Sequence, residues 1–370
     1  MLPLEGVRVV EMAGLAPAPF AGMLLADFGA SVVRVEKPAA FNADVLTRGK
    51  RSLAVDIKSA DGVALVRRLV QQADVLIEPF RPGVMERLGL GPDTLLGDNP
   101  RLIYARLSGF GQQGEHAAQA GHDINYLAMA GVLSVGGCEF RQNNEAPRFP
   151  VNLLADFGGG GMFCVVGILM TLLHRHRTSR GQVVDVSITE GAGYLGNFIR
   201  RMKAAGGPIA LLRGDAPFYT VYRTKDDRYM SVGALEPQFY EQLLHGLALD
   251  PGQLPDRQDP QHWPQLRAVF AACFASKTLD EWSRVFEHSD ACVFPVLALE
   301  QAPMPPQRTP RLSLAPEIAD RPDDDMLLVP GQHSTAVLRD YGWSEADIRQ
   351  LIARKTIHQA AGAKRHASHL

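Results

Sequence analysis

Apolar residues fall in short runs through the first part of the chain, separated by stretches with helical spacing. Residues 7–11, 31–35, 52–57, 75–77 and 102–105 are such runs, and 183–188 is another. Between them, residues 20–28 read as a helix closed by Gly29. Residues 62–72 read as an amphipathic helix with Val63, Leu65, Val66, Leu69 and Val70 on one side. Strands alternating with helix-length patterns predict βαβ units and an α/β fold with a mainly parallel sheet. An open, doubly wound, Rossmann-like sheet fits this spacing better than a barrel. A buried helix beginning in the glycine run 158–161 precedes the strand at 183–188, and a helix over 194–205 follows it.

From Phe218 the texture changes. Short strands at 218–222 and 229–232 give way to helices near 237–247, 264–275 and 279–287, which predicts a smaller α+β domain. Proline then recurs between Pro295 and Pro330, with Asp323-Asp324-Asp325 among the prolines. Such a segment is extended and stiff, a linker. A last helix at 344–353 carries the capping pattern Ser344-x-x-Asp347. The expected organisation is a large domain of 1–190 with 331–358, a small domain of 215–308, and linkers at 191–214 and 309–330.

Composition narrows the class. At 370 residues and 46% hydrophobic, the chain can bury a full core. Its 38 basic and 40 acidic residues nearly cancel, so no global basic field suggests nucleic acid as a partner. Cys138, Cys164, Cys273 and Cys292 show no metal-ligand spacing, which predicts a reduced compartment and no structural zinc. The apolar run 161–173 is short for a bilayer and ends in His174-Arg175-His176-Arg177, so no membrane span is expected. No basic lead and apolar stretch mark a signal peptide at the N-terminus. The last residues, Ser368-His369-Leu370, keep the small–basic–leucine pattern of a peroxisomal address, and a frayed tail is the alternative.

Phosphate-binding motifs mostly fail. Gly109-Phe-Gly111-Gln-Gln-Gly114 matches G-x-G-x-x-G and follows a strand, but no apolar helical stripe comes after it, so it reads as a turn. Gly158 to Gly161 could cradle a phosphate or allow close packing of a buried helix, and packing is the expected role. More telling are Gly121-His122-Asp123-Ile124-Asn125-Tyr126 and, about thirty residues later, Leu153-Leu154-Ala155-Asp156-Phe157-Gly158. Each places a proton carrier near a helix start. Moving a hydrogen between the faces of one carbon needs a base on one side and an acid on the other. His122 and Asp156 have the right chemistry, although one could be a helix-terminal histidine and the other an N-cap. If 120–123 opens a helix, the backbone N–H groups around Asp123 could serve an enolate oxygen. Tyr126, four residues after His122, could then hydrogen-bond Asp156.

These stretches, together with Gly233-Ala234-Leu235-Glu236-Pro237-Gln238-Phe239-Tyr240, resemble the α-methylacyl-CoA racemases, a branch of the family III CoA-transferases. The resemblance runs over about residues 4–300 and fades in the proline-rich segment. It implies epimerisation of 2-methylacyl-CoA thioesters by a 1,1-proton transfer through an enolate, with His122 and Asp156 as proton carriers. Neither metal nor redox cofactor is implied, since coenzyme A belongs to the substrate. It further implies an interlocked homodimer in which Glu236 of one subunit orients the histidine of the other. Arg34-Val-Glu-Lys-Pro, Val55-Asp-Ile-Lys58 and the stretch 80–92 resemble CoA-contacting segments. Lys37, Lys58, Arg81 and Arg87 are thus candidate phosphate ligands, with the main chain of Val55, Asp56, Ile57 and Lys58 against the adenine. Gly121, Ile124 and Asn125 are further candidate contacts to the substrate. Lys37 stands where the family more often has arginine, which weakens bidentate phosphate pairing. Peroxisomal, and also mitochondrial, residence is implied for eukaryotic members, with cytoplasm the expectation if the C-terminal tripeptide is not read. Two rivals remain: a CoA-transferase with Asp156 as nucleophile, which has no use for His122, and a non-catalytic acyl-CoA-binding protein.

Overall fold

The computed structural model describes residues 2–38, 44–136, 150–303, 309–313 and 328–360. The chain forms two compact units, one of Met1–Ser134, Arg148–Gly196 and Pro306–Leu370, the other of Val135–Pro147 and Asn197–Pro305.

In the first unit, β1 (Arg8–Met12), α1 (Pro17–Asp27), β2 (Ser31–Glu36), β3 (Lys50–Val55), α2 (Ala60–Gln71) and β4 (Val75–Glu78) follow in turn. Two short helices, α3 (Val84–Arg87) and α4 (Pro92–Asp98), lead to β5 (Ile103–Ser108). Beyond α5 (Asp123–Met129) comes a π-helix, Leu153–Met162, which runs straight into α6 (Phe163–Thr178). β6 (Gln182–Ser187) and α7 (Ile188–Leu195) complete this part. All six strands pair in parallel, in the order β3-β2-β1-β4-β5-β6. This is the doubly wound order, with its switch point between β1 and β4. Apolar side chains alternate to the two faces and feed two cores. Val10, Met12, Val33 and Leu76 pack on one side with Leu65, Val66 and Leu69 of α2. Val9, Val32, Val75 and Ile77 pack on the other with α1 and α6.

Two features depart from the expected pattern. β3 begins two residues earlier than the apolar run, because Lys50 is buried beside Glu11 at 2.7 Å and its charge is matched inside the sheet. The helix expected over 194–205 is instead two: α7, capped by the Ser187 hydroxyl at the Glu190 N–H, and α8 (Asn197–Ala204) beyond Gly196.

The π-helix and α6 form 26 continuous helical residues, long and apolar enough by composition to cross a membrane, which overturns the length argument from the run 161–173. One face of α6 nevertheless belongs to the core, where Cys164, Val165, Ile168, Thr171 and Arg175 are buried. The glycine run explains the fit of the π-helix. A Cβ at Gly159 would lie 2.5 Å from the Ala192 nitrogen in α7, and one at Gly161 would lie 2.7 Å from Phe20 Cδ1 in α1. The packing role expected for these glycines is thus seen at both neighbours. Gly159→Ala is expected to cost about 3 kcal/mol, because backbone rather than a movable side chain blocks the new methyl. Urea unfolding of the variant measures it.

The second unit begins with α8 and α9 (Ile209–Leu212), in a stretch expected to be linker. β7 (Tyr219–Arg223), β8 (Tyr229–Gly233) and β9 (Val293–Pro295) form an antiparallel sheet. α10 (Pro237–Gly246), α11 (Trp263–Phe274) and α12 (Leu279–Phe286) supply much of its aromatic core, in which Tyr222 stacks on Phe274 at 5.0 Å. Much of the proline-rich segment lies outside the described residues, as do Cys138 and the C-terminal tripeptide.

The end of the chain rejoins the first unit. α13 (Ser334–Asp340) and α14 (Glu345–Ala353) pack Val337, Leu338, Trp343 and Ile348 into the α2 core. β10 (Ile357–His358) adds an antiparallel strand to β3.

Candidate active site

Parallel pairing brings the carboxyl ends of β1 to β5 to one edge of the sheet, the edge where open α/β sheets bind ligands. Every candidate residue of the first unit except Asp156 follows one of these strand ends. At the switch point the loops after β1 and β4 touch: a Cβ on Gly14 would lie 2.4 Å from Pro79 Cγ. Beyond β5, Gly111 and Gly114 adopt positive φ and no helix follows directly, so the G-x-G-x-x-G match is a turn, as expected.

α5 opens at His122, whose backbone is extended. The His122 N–H donates to Asn125 Oδ1 at 3.1 Å, while the His122 carbonyl accepts the Asn125 N–H at 2.8 Å. This reciprocal link fixes the helix start and leaves the N–H groups of Asp123 and Ile124 in an unpaired first turn. The imidazole, Ile124 and Asn125 are exposed, and Gly121 is half-buried.

The Asp123 side chain has a task beyond the one expected of its backbone N–H. Its carboxylate is buried, and Oδ2 accepts the N–H groups of Ala155 at 2.9 Å and Asp156 at 2.8 Å. It therefore caps the π-helix and holds the Asp156 backbone. Asp156 is not an N-cap, since the helix begins three residues earlier and Asn152 takes that position. Tyr126 also departs from expectation. Its hydroxyl turns back to donate to the Gly121 carbonyl at 2.5 Å rather than to Asp156, and its ring fills space left by Gly109 and Gly121. Burial and then the nearby Asp156 charge raise its pKa.

Asp156 itself is half-buried, beside Phe157, which packs on Phe20 at 4.9 Å. Burial pushes its carboxyl up to about 6, and the Asp123 charge adds to the rise. A hydrogen bond from Asn152 and the proximity of His122 oppose it. Asn152, which stands just ahead of the Leu153–Gly158 motif, is a participant not expected from the sequence. An asparagine preceding an apolar helical run is its legible signal.

A carboxyl near 6 can give or take a proton close to neutrality. If Asp156 acts as a base, kcat/KM for that step should fall about tenfold per pH unit below about 6. The fold raises this pKa, so its contribution to stability is fully present below 3.8 and lost as pH rises through about 6. Asp156→Asn should therefore raise Tm above about pH 7, with the gain shrinking toward about pH 5. Thermal unfolding of both proteins across that range checks the sign.

The candidate CoA ligands sit further along the same edge. Lys37 follows β2, Lys58 follows β3, and Arg81 and Arg87 follow β4; all four are exposed. Arg34 is occupied instead, buried against Glu11 at 3.1 Å. The main-chain donors of Asp56, Ile57 and Lys58 are already bonded to Thr356 O, Val55 O and Asp56 Oδ1. A base placed there would meet carbonyl oxygens, which suits the amino group of adenine. Val55 itself is buried in the ladder with β10. Glu236 belongs to the second unit, exposed at the position that opens α10, with Cys292 close enough to feel its charge. Among the described residues no group of three His, Cys, Asp or Glu side chains could hold a metal.

Known proteins resemble this chain along most of its length. An alpha-methylacyl-CoA racemase of Mus musculus is 50% identical over 377 residues, covering 96% of this chain and 97% of the relative. The Homo sapiens alpha-methylacyl-CoA racemase is 46% identical over 96% of this chain and 98% of its own. Among solved structures, a CAIB/BAIF family protein from Brucella suis superposes with a TM-score of 0.77 at 26% identity, over 92% of this chain and 99% of that one. Residues 4–315 match the model of CoA-transferase family III. The chain belongs to CoA-transferase family III.

Proposed function

We propose that this protein is an isomerase that interconverts (2R)- and (2S)-2-methylacyl-CoA thioesters. The observation that carries the reading is the meeting of His122 and Asp156 at one sheet edge, with Asp156 tuned to about 6. One group removes the α-hydrogen and the other returns a hydrogen to the opposite face. Between these steps, negative charge on the thioester oxygen meets the first-turn N–H groups of α5 and the dipole of that helix. No metal or nicotinamide takes part in this reading. Lys37, Lys58, Arg81 and Arg87 serve the phosphates of coenzyme A. The relatives named alpha-methylacyl-CoA racemase, covering nearly the whole chain, support this choice over a transferase.

The working form is a homodimer in which Glu236 of one subunit acts on His122 of the other. The outer face of the long helix supports association: Met162 at the end of the π-helix and Val166, Leu169, Met170 and Leu173 of α6 recur at helical spacing and are exposed. A stripe of this kind on a soluble protein calls for cover. Peroxisomal residence is part of the same reading and rests on Ser368-His369-Leu370.

Incubation with each 2-methylacyl-CoA epimer in deuterated water tests the function. Both epimers should accumulate with deuterium at the α-carbon, and a chelator should change nothing. Transfer of coenzyme A to a carboxylate acceptor, with an Asp156 anhydride trapped by hydroxylamine and no epimerisation, would establish the transferase instead.

A further inference from the structure

Three charged side chains tie together the two ends of the segment that carries Arg81. Glu78, the last residue of β4, is fully buried. Its Oε2 accepts the Phe80 N–H at 2.9 Å, and its Oε1 accepts Arg106 Nε at 2.8 Å. Arg106 lies near the end of β5 and is 7% exposed. The other edge of its guanidinium forks onto Glu86 of α3, Nη1 to Oε1 at 2.8 Å and Nη2 to Oε2 at 3.3 Å. One arginine thus grips residue 78 before the loop and residue 86 beyond it, immediately ahead of Arg87.

None of the three groups has a place in the proton transfer. As a device for stability alone the cluster is poor, because desolvating charges costs much of what their pairing returns. Burial even pushes the Glu78 carboxyl up to about 7 despite the arginine beside it. What an ion chain of this kind supplies is fixed geometry, and the geometry it fixes is that of the 79–87 loop. That loop borders the candidate active site, since the Arg81 guanidinium reaches the Ala118 carbonyl at 3.5 Å and its charge acts on the Tyr126 phenol.

We propose that Arg106 is a positioning residue, holding the 79–87 loop through Glu78 and Glu86 so that Arg81 and Arg87 meet the phosphates of coenzyme A already arranged. The inference rests on the CoA-thioester reading of the site. Preorganised cations bind without the cost of ordering a loop, so loss of the clamp weakens binding rather than chemistry.

The test uses Arg106→Met, Arg106→Lys and Glu86→Gln in the full-length protein. Arg106→Met should raise KM for a 2-methylacyl-CoA, and Kd for free coenzyme A by calorimetry, about tenfold, with kcat within about twofold. The same acyl group on pantetheine lacks the nucleotide phosphates, and its KM should not change. Arg106→Lys cannot grip both carboxylates and should fall between. Glu86→Gln loosens only the partly exposed end and should shift KM in the same direction by less; it decides the matter if the Arg106 variants do not fold. An unchanged Kd for coenzyme A in a folded variant overturns the proposal, as does an equal rise in KM for the pantetheine ester. If the wild type binds coenzyme A but epimerises nothing, the functional reading falls while the calorimetric comparison still decides the role of Arg106.

Discussion

His122→Ala and Asp156→Ala should each abolish epimerisation while leaving binding of the CoA thioester intact. General acid–base groups contribute about 10²–10⁴ in rate each, and removing either one interrupts the transfer between faces. Neither side chain stands among the candidate phosphate ligands, so Kd measured by calorimetry should stay within about twofold. The two variants should differ in what survives. Each keeps one proton carrier, so slow exchange of the α-hydrogen with deuterated solvent should persist for one epimer only, without inversion. The surviving epimer should be opposite in the two variants. Near wild-type turnover in either would end the two-base mechanism. Exchange of both epimers by one variant would assign both faces to a single base.

Activity returns when two inactive subunits are combined, if the histidine and Glu236 of one site come from different chains. A heterodimer of His122→Ala with Glu236→Ala holds one site with both lesions and one with neither. Co-expression under two affinity tags, followed by tandem purification, should recover about half the wild-type turnover per dimer. A carboxylate beside the imidazole favours its protonated form and fixes the ring orientation. Glu236→Gln should accordingly lower kcat more than it raises KM. A verified heterodimer with no activity would show that the two residues act within one chain or not together.

Much of the fold was legible because its cause is local. Runs such as Val32-Val33 and Leu76-Ile77 are apolar at successive positions, as strands covered on both faces must be, and the helix patterns between them leave few topologies. The misses have equally physical origins. β3 starts at Lys50 because a carboxylate from β1 lies beside its ammonium, a contact invisible along the chain. α7 was hidden by two glycines, of which Gly191 is required: a Cβ there would sit 1.9 Å from the Gly159 carbonyl oxygen. At the site, His122 and Asp156 could be picked out as candidates from their motifs, but the hydrogen bonds of Asp123 and Tyr126 could not. Which groups the Asp123 carboxylate binds depends on where residues 155 and 156 arrive, and that is set by tertiary packing. The clamp formed by Arg106 joins residues 20 and 28 positions away, with no periodicity to announce it.

The π-helix gives this region a tolerance to length changes that ordinary helices lack. Its wider turn holds one residue more than an α-turn, so losing a single residue from the glycine run would let the segment relax to α-helical winding. Each residue of an α-helix advances about 100° around its axis. A residue in the wider π-winding advances by less, so the tighter winding of the residues that remain would offset much of the angle lost with the deleted one and keep Asp156 near its present direction relative to α6. Removing one glycine should therefore disturb the placement of Asp156 less than removing one residue from α6, where no wider winding is held in reserve.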